Sequence, residues 1–220
     1  MSRCLICNEE TDAKFGWLAL FQLEKEKRVC ESCKAKFEKI SGPTCPVCFR
    51  PSDELCDDCV RWDEHELQGV LTRNVSVYRY NDFMKEVLAR YKFRGDAALA
   101  DIFQSEMNKA FHHYYKDKWI VPIPLSEQRL FERGFNQSEL LLSGNVVQAL
   151  ERNESEKQSK KSRKERLRAS NVFQVKGEVE GQPIVLVDDI YTTGMTLRMA
   201  AKVLKEAGAK EVCSLTLIRS

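Results

Sequence analysis

Long apolar runs are missing from this chain of 220 residues. The stretch FGWLALF at 15–21 is far too short to span a bilayer, and no apolar core follows the opening MSRCLICNEE, so no signal peptide is expected. The expectation is a soluble, cytoplasmic protein. An excess of one charge is missing too: 35 Lys and Arg against 33 Asp and Glu leave +2, which excludes a generally basic nucleic-acid coat. Neither GxxxxGK[ST] nor GxGxxG occurs, which excludes a Walker A loop and a dinucleotide fingerprint. Histidine is scarce, and none of His65, His112 and His113 sits inside a cysteine pair. Thiols all but vanish after residue 60, where only Cys213 remains; its place in VCSLTLI reads as a buried strand position.

The other eight of the nine cysteines crowd into the first 60 residues as four CxxC pairs: Cys4 and Cys7, Cys30 and Cys33, Cys45 and Cys48, Cys56 and Cys59. Two residues between thiolates let a tight turn aim both sulfurs at one ion, so four pairs supply two tetrahedral sites. A redox CxxC normally occurs singly after a strand, which this pattern does not match. A segment this short with few apolar runs needs a staple, and metal is the expected one. Two pairings stay open. The sequential scheme closes one zinc ribbon with the first four cysteines and a smaller knuckle with the last four; a cross-brace joins the first pair with the third. With no open ligand position implied, both zincs read as structural. His65 reads as a linker residue.

The polar run VRWDEHELQG after Cys59 suits a boundary, giving a Cys-rich double zinc module at 1–62 and a larger domain at 63–220. In the larger part, RNVSVYRY at 73–80 reads as a strand. Helical stripes follow at 81–92 and 96–114, with Asn81 or Asp82 and Asp96 as N-caps. Trp119–Pro122 is a short strand, 135–150 is expected to be helical, Pro183–Val187 is a strand, 195–207 a helix and Val212–Ile218 a closing strand. Apolar strands without polar alternation, joined by helices, imply an α/β fold whose parallel sheet is covered on both faces. Ligands of such folds bind at the carboxyl ends of the strands.

The stretch PIVLVDDIYTTGMTL at 183–197 meets that expectation. After the apolar strand come two carboxylates, Asp188 and Asp189, then Thr192, Thr193, Gly194, Met195 and Thr196 opening the next helix. Backbone N–H groups and threonine hydroxyls there can wrap a phosphate monoester, and the helix dipole favours one. Gly194 lets the backbone come close. The two carboxylates are acceptors placed to hold vicinal sugar hydroxyls. Together these parts describe a reader of ribose 5-phosphate.

VLVDDIYTTGMT resembles the phosphoribosyl pyrophosphate (PRPP) signature of type I phosphoribosyltransferases. ERGFNQSELL at 132–141, preceded by VPIPLSEQRLF, and YNDFMKEVLARYKFRGD at 80–96 are similar to the ComF competence family, whose members also carry an N-terminal zinc module. The resemblance covers essentially the whole chain. It implies a type I phosphoribosyltransferase-like parallel-sheet domain preceded by a small double zinc-ribbon domain, with magnesium accompanying PRPP. It places the diphosphate loop at IPLSEQR, 123–129, with Leu125, Ser126, Arg129 and Arg133 as binding residues, Asn136 and Gln137 orienting loop or ligand, and Asp188 and Asp189 on the sugar. It also puts the basic segment EKQSKKSRKERLRAS, 156–170, where type I enzymes keep a loop that closes over PRPP. There Lys160, Lys161, Arg163 and Arg166 would stabilise departing pyrophosphate; a solvated loop and a single-strand nucleic-acid contact are the other readings. Purine-using members carry an acid three positions after the second signature acid, where this chain has Thr192, which argues against purine salvage.

The implied function is a competence protein for natural transformation, handling single-stranded DNA, with PRPP-dependent pentosyl transfer or PRPP sensing. Its rival is a non-catalytic module that binds single-stranded DNA or docks on a competence DNA helicase or translocase. Recruitment to the membrane-associated uptake machinery belongs to the same expectation.

Overall fold

The computed structural model describes residues 3–11, 28–93, 96–152 and 172–220. The basic segment with Lys161 and Arg163 therefore lies outside the described residues. The central sheet has four parallel strands, β1 (Asn74–Arg79), β2 (Trp119–Pro122), β5 (Pro183–Tyr191) and β6 (Glu211–Arg219), in the order β1-β6-β5-β2. A separate antiparallel pair joins β3 (Leu150–Arg152) to β4 (Phe173–Val175).

The apolar run of β5 has the burial that parallel strands need. Val185 and Val187 pack under α3 (Asp82–Phe93) and α4 (Ala100–Tyr114), among Met84, Tyr91, Phe103 and Met107. Ile184 and Leu186 face the other way, against Leu197 and Leu204 of α7 (Met195–Glu206) and against Cys45 and Cys48. Cys213 is buried in β6, and burial pushes its thiol up to about 11. Asn74, Ser76, Ser214 and Thr216 form a buried polar seam, with Ser76 and Thr216 hydroxyls 2.7 Å apart and Ser214 donating to Asn74 at 2.8 Å.

Three sequence expectations change. Residues 135–150 are not one helix: only α6 (Gln137–Leu140) forms, and Val146 then bridges in parallel to Ile120 of β2. The helix stops at Leu140, and Gly144 beyond it, with φ of 145°, lies so close to β2 that a Cβ there would come 3.2 Å from Ile120 Cδ1. Asn81 caps α3, accepting from Met84 N at 2.8 Å; Asp96 stands at the expected N-cap position, its carbonyl accepting from Leu99 N at 3.1 Å, but its carboxylate pairs with Arg90 at 2.9 Å and makes no capping bond. The signature strand also runs past Val187 to Tyr191, pairing with β6 as far as Arg219, so both carboxylates stand within it.

Candidate phosphate site and metal centres

The cysteines gather sequentially. Cys4, Cys7, Cys30 and Cys33 form one cluster and Cys45, Cys48, Cys56 and Cys59 the other, with donor atoms within 4.8 Å of one another in each. This decides between the two pairing schemes, and His65 belongs to neither cluster. Both are built alike. A turn carries the first pair and ends on a left-handed residue, Asn8 (φ 63°) or Phe49 (φ 65°). A short helix carries the second pair: α1 (Glu31–Lys34) starts after Cys30, and α2 (Asp57–Trp62) starts after Cys56. N–H groups aim at sulfur, from Ile6 and Cys30 to Cys4 Sγ (both 3.4 Å) and from Cys33 to Cys30 Sγ (3.4 Å).

The donor set fits a divalent cation. The Ser32 hydroxyl and then the Cys33 N–H pull Cys30 down to about 6, whereas burial pushes Cys33 well up. In the second cluster burial opposes ionisation of Cys45, but N–H groups of Cys48, Cys56 and Val47 bring it down to about 6; burial and the Cys48 charge drive Cys59 far up. Four thiols this close ionise together only around a metal, and an all-sulfur tetrahedral set is that of structural zinc.

The candidate phosphate loop stands at the end of β5. Thr192, Thr193, Met195 and Thr196 are exposed and Gly194 is buried behind them. Gly194 has φ of 82°, and a Cβ on it would collide with the Tyr191 hydroxyl and the Arg198 guanidinium. As N-cap of α7 it offers no side chain to the first helical turn; Met195 N–H turns to Thr193 Oγ1 (3.3 Å), and the other first-turn N–H groups suit an anion.

Beside the loop lie the carboxylates. Asp189 is buried and holds Lys92 of α3 with both oxygens, at 2.9 and 2.8 Å. Asp188 accepts from Ser138 Oγ (3.0 Å) and from Asp189 N (2.9 Å). Burial first, and the Asp189 charge second, push Asp188 up to about 7 against those hydrogen bonds and Lys92. Arg133, at the end of α5 (Glu127–Arg133), donates to Gln137 Oε1 at 2.6 Å and feels both carboxylates. Arg152 of β3 lies within electrostatic reach of Arg129 and Asp188.

The motif around 132–141 proves to be a scaffold for this wall. Asn136 accepts from Ser138 N (3.1 Å) and donates to the Ile123 carbonyl (3.1 Å), and Tyr91 donates to the Gln137 carbonyl (2.8 Å). Arg129 is exposed on α5, Ser126 caps that helix by accepting from Arg129 N (3.3 Å), and Leu125 is half-buried in the preceding turn.

The phosphoribosyl transferase domain family matches residues 141–220. Competence protein ComFC of Bacillus subtilis (strain 168) is 46% identical over 99% of this chain and 95% of its own length. The chain belongs to the ComF family of competence proteins. Competence protein ComFC of Streptococcus pneumoniae is 35% identical over 99% of this chain and all of its own, and DNA utilization protein YhgH of Escherichia coli K12 is 34% identical over 84% of this chain and 87% of its own.

Of the residues expected to bind, this ComF-family chain brings Arg133 to Asp188 and Asp189, on the strand that leads into the loop, and Arg129 lies within electrostatic reach of Arg133 and Arg152. Sequence reasoning missed Lys92, Ser138 and Arg152. Ser138 and Lys92 both stand inside segments that carried the family resemblance, so their placement was available; Arg152 had no local signal.

Proposed function

We propose that this chain binds PRPP with magnesium and serves natural transformation, in the uptake or processing of single-stranded DNA. Relatives named for competence and for DNA utilization support the process. The observation that carries the ligand is β5 itself: one strand delivers a carboxylate pair and an exposed threonine loop, with Lys92 and Arg133 beside the carboxylates. In this reading Thr192, Thr193, Gly194, Met195 and Thr196 take the 5′-phosphate, and Asp188 and Asp189 take the ribose hydroxyls. Arg129 and Arg133, with the turn at Leu125 and Ser126, take the diphosphate, since guanidinium forks match phosphate oxygens. Magnesium, when bound, would neutralise diphosphate charge, with Asp188 and Asp189 as its protein-side partners. Lys161 and Arg163, outside the described residues, are left to neutralise departing pyrophosphate.

Transfer would break the bond from C1 to the pyrophosphate oxygen while an acceptor lone pair forms the new bond, with positive charge on the sugar between the two events. Thr192 stands where a base-handling acid would be, which favours a second reading: PRPP is bound and sensed without turnover. Contact with a DNA helicase or translocase, single-stranded DNA binding and recruitment to the uptake machinery at the membrane belong to this proposal too. Among the described residues no helix is long and apolar enough to cross a membrane.

Isothermal titration of PRPP with Mg2+ tests the reading. Heat from the wild type and none from Asp188→Ala/Asp189→Ala is expected; a silent wild type overturns both transfer and sensing. Pyrophosphate release across an acceptor panel separates those two.

A further inference from the structure

We propose that the second cysteine centre is the rear support of the phosphate loop, and that Arg219 and Trp62 are the positioning residues that connect them. The inference rests on reading 192–196 as a phosphate site. Arg219 closes β6 and is 4% exposed. Its Nη1 donates to the carbonyls of Tyr191 (3.2 Å) and Thr192 (3.1 Å) and also reaches the Ser220 carbonyl oxygen, while Nη2 donates to Cys48 Sγ at 3.5 Å. Its guanidinium lies 4.8 Å from the Tyr191 ring centre. Trp62 ends α2, the helix that carries Cys59, and its indole N–H donates to the Thr193 carbonyl at 3.1 Å. The Arg198 guanidinium lies 4.2 Å over the Trp62 ring and donates to the Tyr191 hydroxyl at 2.6 Å.

Three successive carbonyls, those of Tyr191, Thr192 and Thr193, are thus held by groups lying between the loop and the second centre. In a trans peptide unit the N–H points opposite to its C=O. Pinning these carbonyls backward turns the N–H groups of Thr192, Thr193 and Gly194 toward the opposite side, where a phosphate would need them. Pre-set donors bind an anion without a further ordering cost.

Charge explains why the support belongs to the metal centre. A guanidinium buried as deeply as Arg219 needs a negative partner. Four thiolates around one divalent ion keep a net negative charge, and Cys48 presents it to Nη2. The knuckle is also locked to the sheet: Asn74 N donates to the Val47 carbonyl (2.8 Å) and Asn74 Nδ2 to the Cys48 carbonyl (3.2 Å). Movement of the centre would therefore be felt in the loop through Arg219 and through α2.

The test uses full-length Arg219→Gln, Arg219→Lys and Trp62→Phe, the last keeping an aromatic ring under Arg198 but losing the N–H. Ribose 5-phosphate is titrated into each, zinc content is measured, and exchange of the 192–195 amides is followed by NMR. Arg219→Gln and Trp62→Phe are expected to retain wild-type zinc content, weaken ribose 5-phosphate by about tenfold or more, and speed exchange of those amides. Arg219→Lys recovers part of the affinity by reaching one carbonyl. Affinity within about twofold of wild type, with unchanged loop exchange, overturns the inference. If the wild type binds neither ribose 5-phosphate nor PRPP, the phosphate reading fails, and the exchange rates alone decide the support: faster loop amides uphold it and unchanged ones sink it.

Discussion

The two cysteine centres share a plan and differ in where that plan is set. In the first, Cys7 is exposed and Cys30 half-buried; in the second all four cysteines are buried. The first is fastened beyond the outer edge of β1, where Ile40 N donates to the Val77 carbonyl (3.0 Å) and Arg79 N to the Glu38 carbonyl (2.8 Å). It also engages α3, whose Arg90 donates to the carbonyls of Ile6 (2.5 Å) and Leu5 (2.8 Å), two residues before Lys92. The second shares one apolar core with β5, β2 and α7. A CxxC pair thus offers ligands for a metal, whereas burial decides what would depend on that metal. The first centre is a clasp on the helix that neutralises Asp189; the second is part of the core behind the loop.

The strongest way to break this comparison is to remove one ligand from each centre. A structural zinc contributes about 10–16 kcal/mol of apparent binding free energy, and a domain is stable by only about 5–15 kcal/mol. Cys45→Ala is therefore expected to leave an unfolded or insoluble chain. Cys7→Ala should lose one metal yet stay folded, with a transition a few degrees lower, because Cys7 is exposed and the first centre meets the sheet only along the edge of β1, whereas the second is buried within the core. Metal analysis and thermal denaturation check both. Equal losses in the two variants would abolish the distinction between clasp and core.

A smaller effect is expected at Gly194, which probes the loop against its support without touching a cysteine. Alanine there meets the Tyr191 hydroxyl and the Arg198 guanidinium and must hold a positive φ as well. A strained backbone of this kind costs about 1–3 kcal/mol, and the displaced Arg198 would disturb Trp62. Gly194→Ala should lower the melting temperature by several degrees, at about 2–4 °C per kcal/mol for a chain of this size, and lose PRPP binding. A variant that binds PRPP as the wild type does would show that the loop tolerates movement of its rear wall.

What could be read in advance follows how local each signal is. The apolar runs of β5 and β6 announced a parallel sheet because both faces of those strands are covered, and the TTG loop announced itself because all its donors are consecutive. The count and spacing of cysteines were legible, but their pairing was not, since either scheme satisfies four CxxC units. The region 135–150 misled because Leu140, Leu141, Val146 and Val147 keep a helical spacing although the helix stops at Leu140 and Val146 turns to bridge Ile120 of β2. Lys92 to Asp189, Trp62 to Thr193 and Arg219 to Cys48 span 97, 131 and 171 residues. Contacts that distant leave no period, so Trp62 and Arg219 stayed hidden, and Lys92, although inside a segment that carried the resemblance, showed nothing of its partner.

The smallest effect lies on the wall behind the first centre. Asp188 is pushed up to about 7 by burial and by the Asp189 charge, and Lys92 pulls it down. Its folded value exceeds the unfolded value of about 3.9, so its contribution to ligand-free stability is full below that value and is lost as pH rises through about 7. Ligand binding runs the other way. A carboxylate that accepts from ribose hydroxyls must be ionised, so affinity for PRPP with Mg2+ should climb as pH rises through the same window. Lys92→Met removes the cation that favours the ionised pair and should move the midpoint of that climb up by about one pH unit. Arg219→Gln, acting through the loop's backbone, should weaken binding at every pH and leave the midpoint where it is. Titrations between roughly pH 5.5 and 8.5 compare the two variants. Parallel curves would mean that both walls act on the ligand by the same route, and displaced midpoints that one supplies charge while the other supplies shape.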